Sequence, residues 1–340
     1  MPALAVADAL TERGADVSFI GLARGSGSGL VRAAGYEERT LPLKGLRRRM
    51  SVANIGALIL AALALPRAAA ELRRRRADVV IGAGGYVGGP VALAAWLSRR
   101  PVLLTEADSH LGLANRLVAP LARRVALAFP LRGRRGAKWQ VVGRPVSRSV
   151  REATRTAGRV AFGIPDDETA ILIMGGSQGA RQLNRGAVAA FSSDPPFHVI
   201  HVAGPGQYDE VHRSLGDAGP RYRLFPYLDN LPQAIAAADL VVSRAGGSVF
   251  EIAAIGRPSV LVPYPHATAD HQTTNARWLA EAGAAVILAD DLCTGDRLRE
   301  IVGALLADGP RLASMSAAAR ANGRPEAADR IAEMALERAG

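Results

Sequence analysis

Short β-branched runs alternate with Ala-, Leu- and Arg-rich stretches along almost the whole chain of 340 residues. The first series of runs is Asp16–Gly21, Asp78–Gly82, Pro101–Thr105, Arg124–Phe129 and Gln140–Gly143. The second is Ala170–Gly175, Phe197–Ala203, Tyr222–Tyr227, Asp239–Arg244, Ser259–Tyr264 and Ala285–Ala289. Apolar runs this short, set between helical stretches, mark strands buried on both faces in parallel sheets. Strand, helix and strand in repetition give α/β layers joined by right-handed crossovers. The two series therefore predict two Rossmann-like domains, 1–147 and 148–322, with the break near Gly143-Arg144-Pro145. Arg151–Val160 reads as a polar connecting helix. The tail 323–340 reads as a helix packing back toward the first domain. Two such domains are expected to face each other across a cleft. Ligands of open α/β sheets sit beyond the carboxyl ends of the strands, so function is expected in the loops that follow them.

The first residues depart from this scheme. Pro2–Arg13 predicts a helix, with Leu4, Ala7 and Leu10 on one face and Pro2 in the early position that tolerates it. A Rossmann half opens with a strand and a Gly-rich loop before such a helix. Either the fold differs here, or a first strand and loop are missing.

Four loops carry chemistry. After Ala170–Met174 comes Gly175-Gly176-Ser177-Gln178-Gly179-Ala180-Arg181. Small residues between strand and helix let a phosphate reach backbone N–H groups at the helix N-terminus, and the Ser177 hydroxyl adds a donor. The motif matches neither the dinucleotide nor the P-loop fingerprint. After Asp239–Arg244 comes Ala245-Gly246-Gly247-Ser248-Val249-Phe250-Glu251. Here Ser248 reads as an N-cap and Glu251 as its capping-box partner at the third helical position. The alternative has Glu251 accepting from both hydroxyls of a ribose, for which a carboxylate has enough lone pairs. The third loop runs from Pro263-Tyr264-Pro265-His266 to Asp270-His271-Gln272-Thr273-Thr274-Asn275; its spacing matches no zinc pattern. In the first half, Gly82-Ala83-Gly84-Gly85-Tyr86-Val87-Gly88-Gly89-Pro90 makes another anion cradle, ahead of a helix expected near Pro90. Beside it, Glu106 and Asp108 at a strand end are candidates for general-base work, with metal binding and helix capping as the other readings.

Charge separates the halves. Residues 1–150 hold 24 basic and 9 acidic side chains, and the remainder holds 18 and 22, within a net charge of +11. Such polarity points the first half at an anionic partner. Aromatic residues are not interleaved with its arginines, which argues against a stacking platform for nucleic acid. Val52–Leu65, apolar apart from Asn54, is 14 residues long, against the about 20 needed to span a bilayer. Flanked by Arg47-Arg48-Arg49 and Arg73–Arg76, it reads as a helix lying at an anionic lipid surface, or as a core helix with solvated basic ends. The single cysteine, Cys293, excludes an intrachain disulfide. No secretory leader pattern opens the chain, and a reducing, cytosolic setting is expected.

Taken together, these motifs resemble one family. They are Gly84-Gly85-Tyr86-Val87-x-Gly89-Pro90, Glu106 with Gly112-Leu113-Ala114-Asn115-Arg116, Ala128-Phe129-Pro130, Gly175–Arg181, and Asp270-x-Gln272-x-x-Asn275. Their order and spread resemble glycosyltransferase family 28, and within it the bacterial N-acetylglucosaminyltransferases that complete lipid II. The resemblance implies a GT-B fold and a metal-independent, inverting transfer of N-acetylglucosamine from its UDP ester to the muramoyl 4-hydroxyl of lipid I. No cofactor is implied. It implies a peripheral enzyme at the cytoplasmic face of the bacterial membrane, serving peptidoglycan synthesis and so cell shape and division. It assigns Ser177 and Gln178 to the donor diphosphate and sugar, and Gly246, Gly247 and Ser248 to the diphosphate. It puts Glu251 on the ribose, the Leu228 backbone on the uracil, and Gln272 with His271 on the sugar hydroxyls. Gly84, Gly85, Tyr86, Gly88, Gly89 and Asn115 would cradle the acceptor diphosphate. Other readings are a different GT-B glycosyltransferase acting on a glycolipid, and a UDP-sugar-binding protein without turnover.

Three departures from the family pattern stand out. The family opens with a strand and a Gly-rich loop ending in His, its favoured general base, just before the segment seen here as Pro2-Ala3-Leu4. The expectation is thus an internal start and a first domain lacking its first strand. The family's His-Glu-Gln-Asn appears as Thr105-Glu106-Ala107-Asp108, which leaves Glu106 as the candidate base and sets Asp108 toward the donor. Ser147 stands where the family has a donor-contacting Arg, for which Arg144 or Arg148 would compensate. The 246–251 loop is also one residue shorter than the family's.

Overall fold

The computed structural model describes residues 2–22, 29–43, 52–176, 180–267 and 270–337. The chain forms two compact units, one of residues 1–147 and 326–340 and the other of residues 148–325.

In the first unit, α1 (Pro2–Thr11), β1 (Ser18–Leu22), α2 (Leu30–Ala33) and β2 (Glu37–Leu41) are followed by α3 (Val52–Arg74) and β3 (Val80–Gly82). Then come α4 (Gly85–Leu97), β4 (Val102–Glu106), α5 (Leu113–Val118), β5 (Arg124–Leu127) and β6 (Trp139–Val141). β1 pairs with β2, and β3 to β6 form a separate four-stranded sheet, both parallel. Side chains along a strand alternate between faces. Accordingly Val102 and Leu104 enter one apolar layer with Leu72 and Val91, while Leu103 enters the other with Val6 and Leu10 of α1.

The second unit begins with α6 (Arg148–Glu152) and α7 (Arg155–Ala161). Strands and helices then alternate: β7 (Ala170–Met174), α8 (Arg181–Phe191), β8 (His198–Val202), α9 (Tyr208–Leu215), β9 (Tyr222–Phe225), α10 (Leu231–Ala237) and β10 (Leu240–Ser243). The series closes with α11 (Ser248–Ile255), β11 (Ser259–Leu261), α12 (His271–Glu281), β12 (Ala285–Ile287), α13 (Gly295–Leu306) and α14 (Gly309–Asn322). Their sheet is parallel, in the order β12-β11-β10-β7-β8-β9. Ala170, Leu172 and Met174 of β7 feed one core layer, and Ile171 and Ile173 feed the other. α15 (Ala327–Leu336) belongs to the first unit, where Ile331, Ala332 and Ala335 cluster with Ala5, Val6 and Ala9, and Arg13 pairs with Asp329 at 2.9 Å.

Several elements differ from the sequence reading. β2 was not anticipated: its Glu-Glu-Arg-Thr-Leu run lacks an apolar pattern because it pairs on one side and stays mostly exposed. The apolar stretch expected over 52–65 continues as helix to Arg74 through Pro66. That proline removes one internal hydrogen bond, and flanking turns carry the helix across it. α4 begins at Gly85, not near Pro90, so Gly85 to Gly89 form its first turns. The single connecting helix over 151–160 is two helices, because the Thr154 side chain accepts from Ala157 N–H at 3.2 Å and starts a new one. Ser248 is the first residue of α11 rather than its cap, and Gly247 holds the cap position without a side-chain bond.

α7 crosses α10 at Gly158, where a Cβ would meet the Gln233 carbonyl and lie 2.9 Å from Ala237 N. Gly158→Ala gains about 1 kcal/mol of helix propensity. The clash outweighs it, at about 1–3 kcal/mol for overpacking. Urea unfolding of this variant is expected to show net destabilisation.

Candidate functional site

Strand order in the second unit reverses between β7 and β10, which pair directly with Met174 opposite Ser243. A reversal of this kind leaves a crevice beyond the strand ends, where ligands of open α/β sheets bind. It brings the loop after β7, with Gly175 and Gly176, beside the loop after β10, with Gly246 and Gly247, and Arg244 N–H bonds the Met174 carbonyl at 3.3 Å. Ser177 and Gln178 lie outside the described residues.

Two buried side chains hold the β10 loop. Asn275 of α12 donates from Nδ2 to the Ala245 carbonyl at 3.0 Å and to the Gly246 carbonyl at 3.4 Å. Arg244 donates to the Val262 carbonyl at 3.1 Å, pairs with Asp290 at 2.6 Å, and lies over the Tyr264 ring at 5.5 Å. The Gln272 carbonyl oxygen accepts from Tyr264 N–H at 3.0 Å, which ties the start of α12 to the loop after β11. Phe250 stacks on Trp278 at 5.0 Å and fixes α11 against α12. Glu251, half-buried, sits in the opening turns of α11, and His271 is the first residue of α12. Leu228, in the loop after β9, packs against the core.

On the other side of the reversal, Asn184 anchors α8. Its Nδ2 donates to the Ala203 carbonyl at 3.0 Å and to Gln207 Oε1 at 2.8 Å, so its oxygen faces His201 Nε2 at 3.0 Å. His201 Nδ1 then takes the hydrogen of the Tyr222 hydroxyl at 2.7 Å. Burial pushes the His201 pKa down to about 3, which keeps the ring neutral and this bonding scheme intact. Sequence reasoning assigned no role to Arg244, His201 or Asn184. The signal available was their polarity inside otherwise apolar strand-to-helix segments.

In the first unit, the ends of β3 and β4 meet the start of α5. Gly84 and Gly85 have φ of +77° and +70°, a backbone that side chains strain to adopt. Glu106 is buried, and its carboxylate accepts from Asp108 N–H at 3.2 Å, Gly112 N–H at 2.9 Å and Asn115 Nδ2 at 2.9 Å. Asn115 Nδ2 also reaches the Thr105 carbonyl at 3.0 Å, and a Cβ on Gly84 would lie 3.8 Å from it. Glu106, Asn115 and Gly84 are thus one constellation. Asp108 is exposed, and Gly88 and Gly89 follow in α4. Three of the roughly four acceptor positions of the Glu106 carboxylate are taken, two by N–H groups of the 107–112 loop and one by Asn115. Arg144 Nη1 approaches the Ala107 carbonyl of that loop at 3.5 Å, and Ser147 ends the first stretch of the unit. Among the described residues, no three His, Cys, Asp or Glu side chains gather as a metal site.

Residues 1–127 match the family model for the glycosyltransferase family 28 N-terminal domain, and residues 170–331 match the one for its C-terminal domain. The UDP-N-acetylglucosamine--N-acetylmuramyl-(pentapeptide) pyrophosphoryl-undecaprenol N-acetylglucosamine transferase of Moorella thermoacetica is 42% identical, over 99% of this chain and 95% of its own. The chain belongs to glycosyltransferase family 28. The like-named enzyme of Halorhodospira halophila is also 42% identical, over 99% of this chain and 94% of its own. Among solved structures, MurG of Acinetobacter baumannii superposes with a TM-score of 0.79 at 29% identity, covering 99% of this chain and 95% of that one. The calicheamicin glycosyltransferase CalG4, at 18% identity, shares the fold with a TM-score of 0.68, covering 99% of this chain and 94% of that one. The fold of this family 28 chain is GT-B.

Glu106→Ala removes three acceptors at once and leaves the Asn115 amide buried without its carboxylate partner. A cost of about 2–4 kcal/mol is expected from groups of this kind. Hydrogen exchange should quicken at the amides of Asp108 and Gly112, and urea unfolding should shift to lower denaturant.

Proposed function

We infer that this chain transfers N-acetylglucosamine from UDP-N-acetylglucosamine to lipid I, forming lipid II for peptidoglycan. The full-length kinship with the Moorella and Halorhodospira transferases carries this reading. The sites are read in the same way. The second unit takes the donor at the β7–β10 reversal, with Glu251 on the ribose hydroxyls and Gly246, Gly247 and Ser248 along the diphosphate. Ser177 and Gln178 meet the diphosphate and sugar from the β7 loop, and the Leu228 backbone meets the uracil. Gln272, whose carbonyl already holds Tyr264, reads a sugar hydroxyl through its amide nitrogen, with His271 beside it.

Displacement of UDP builds charge on the β-phosphate. In this reading no metal takes that charge; backbone N–H groups at the starts of α8 and α11 take it, held in place before the reaction. Asn275, Arg244 and Asn184 are the positioning residues: Asn275 bonds the loop ahead of α11, Arg244 ties the end of β10 to the loop after β11, and Asn184 ties α8 to the loop after β8. The acceptor diphosphate lies along Gly84, Gly85 and the turn after them, over the Glu106–Asn115 pair. The acceptor hydroxyl attacks the anomeric carbon, and UDP leaves with the bonding electron pair. The fourth acceptor position of Glu106 is the one proposed to receive the hydroxyl proton. Asp108 is assigned to the donor by its place in the family pattern, and Arg144 in place of the shorter Ser147.

Membrane attachment is proposed for the first unit. Ile59 and Leu63 of α3, Trp96 and Leu97 of α4, and Leu113 and Leu117 of α5 are exposed apolar side chains. α3 packs on α4 and α4 on α5, and Arg67, Arg99 and Arg116 are exposed on the same helices and their ends. Among the described residues, no helix is long and apolar enough to cross a membrane. Apolar side chains rimmed by cations suit a peripheral seat on the anionic cytoplasmic leaflet, which is where a lipid-linked acceptor waits.

Glu251→Ala is expected to weaken UDP binding 10- to 100-fold in calorimetry, about the 1–3 kcal/mol of a good ribose contact. UDP release from UDP-N-acetylglucosamine should require a lipid I analogue. Binding of donor without release in its presence would replace transfer by sugar-nucleotide binding. Co-sedimentation with vesicles should rise with their content of anionic lipid and fall when Ile59 and Leu63 are both changed to Ser.

A further inference from the structure

At the amino end of the second unit's sheet, arginines gather around one carboxylate. Arg155 of α7 pairs with Asp239 at 2.5 Å, and Arg159, 1% exposed, pairs with its other oxygen at 2.9 Å. That second oxygen also accepts from Ala170 N–H at 2.9 Å. Three of the roughly four acceptor positions of Asp239 are thereby taken. Two more arginines stand beside this group. Arg257, between α11 and β11, donates from Nη2 to the Ala236 carbonyl at the end of α10. Arg320 of α14 lies over Gly256, where a Cβ would stand 2.7 Å from its Nε. Its Nη2 donates to Ser316 Oγ at 2.7 Å, and Ser316 donates in turn to the Gly256 carbonyl at 2.7 Å.

The charges do not balance. Among the described residues neither Arg257 nor Arg320 has a carboxylate partner, and the buried Nε of Arg257 has no hydrogen-bond partner. Burial, with the charges of Arg155, Arg320 and Arg159 around it, pushes the Arg257 pKa down to about 10, and Asp239 offsets only part of this. Four guanidinium groups thus face one carboxylate. The carboxyl ends of α10 and α11, each equivalent to about half a negative charge, still leave a surplus of about two. Charge withdrawn from water is costly unless it is paired. Exposure rises outward through the group, from Arg159 inside, through half-buried Arg257, to Arg155, 38% exposed, and the exposed Arg320. An ion arriving from solvent therefore meets donors that no carboxylate holds.

We propose that Arg155, Arg257 and Arg320 form a site for a phosphate dianion, carried by inorganic phosphate or by a phosphomonoester. One dianion matches a surplus of about two charges, and the guanidinium fork matches phosphate oxygens with paired N–H bonds. Arg159 anchors Asp239 from inside and so holds Arg155 in place. The occupant ties α14 to the ends of α10 and α11 and to the start of α7. The site lies at the amino end of β10, whereas the glycine loop follows its carboxyl end at Ser243. It is thus separate from the donor crevice and needs neither donor nor acceptor.

The test uses the full chain in a buffer without phosphate, with chloride holding the ionic strength constant. Inorganic phosphate and phenyl phosphate are titrated separately, in calorimetry and in thermal unfolding. Inorganic phosphate should bind saturably and raise Tm with its concentration. Hydrogen exchange should slow at amides of residues 254–258 and 316–322. Arg320→Gln, at an exposed position, should weaken phosphate binding about 10-fold or more, as loss of a charged hydrogen-bond donor does. Arg155→Gln should weaken it as well. Arg311→Gln, which removes the same charge from the same helix, should leave it unchanged. A response to phenyl phosphate of the same size supports an esterified occupant, and a response to inorganic phosphate alone supports the free ion. Binding of neither, an equal loss in Arg311→Gln, or protection confined to residues 174–176 and 245–250 overturns the site and leaves the arginines as neutralisers of helix ends.

Discussion

The ladder between β7 and β10 is the constraint on which the candidate site of the second unit depends. Four residue pairs, from Leu240 opposite Ile171 to Ser243 opposite Met174, end both strands at the same level. Two glycine loops from distant parts of the sequence therefore emerge side by side. Slipping this register by one residue would turn Leu172 and Ile173 to the wrong layers, so the hydrophobic cores on both faces hold the loops in alignment. Function at this site is inherited from the burial of β7.

Loops placed by strands still need fixing, and the chain does this with buried polar side chains. Asn275, Arg244 and Asn184 each bond to main-chain carbonyls, and together they hold the loops after β10, β11 and β8. A buried amide or guanidinium left without these partners is costly, which makes the loop conformation and the side-chain network mutually enforcing. The first unit repeats the device with Glu106 and Asn115 beneath Gly84. There a carboxylate expected from its place at a strand end to work as a base is also the anchor of the adjoining loop.

The chain solves helix and strand boundaries by local chemistry that periodicity does not resolve. Thr154 divides an expected single helix through one side-chain cap. Gly84 and Gly85, in left-handed backbone, start α4 earlier than Pro90 suggests. β2 escaped notice because a strand paired on one side needs no apolar alternation, and Glu37 to Thr40 have none.

Alternating apolar runs were enough to read the α/β class, eleven of the strand positions and the glycine loops, since burial on both faces of a parallel strand leaves a mark in every such segment. The family motifs Asp270-x-Gln272-x-x-Asn275 and Glu106 with Asn115 were equally visible as residue patterns. What Asn275 does was set by its contact with Ala245, 30 residues back in the chain, and the roles of Asn184 and Arg244 by contacts with Ala203 and Val262. Such contacts depend on strand order and register, which no local pattern encodes.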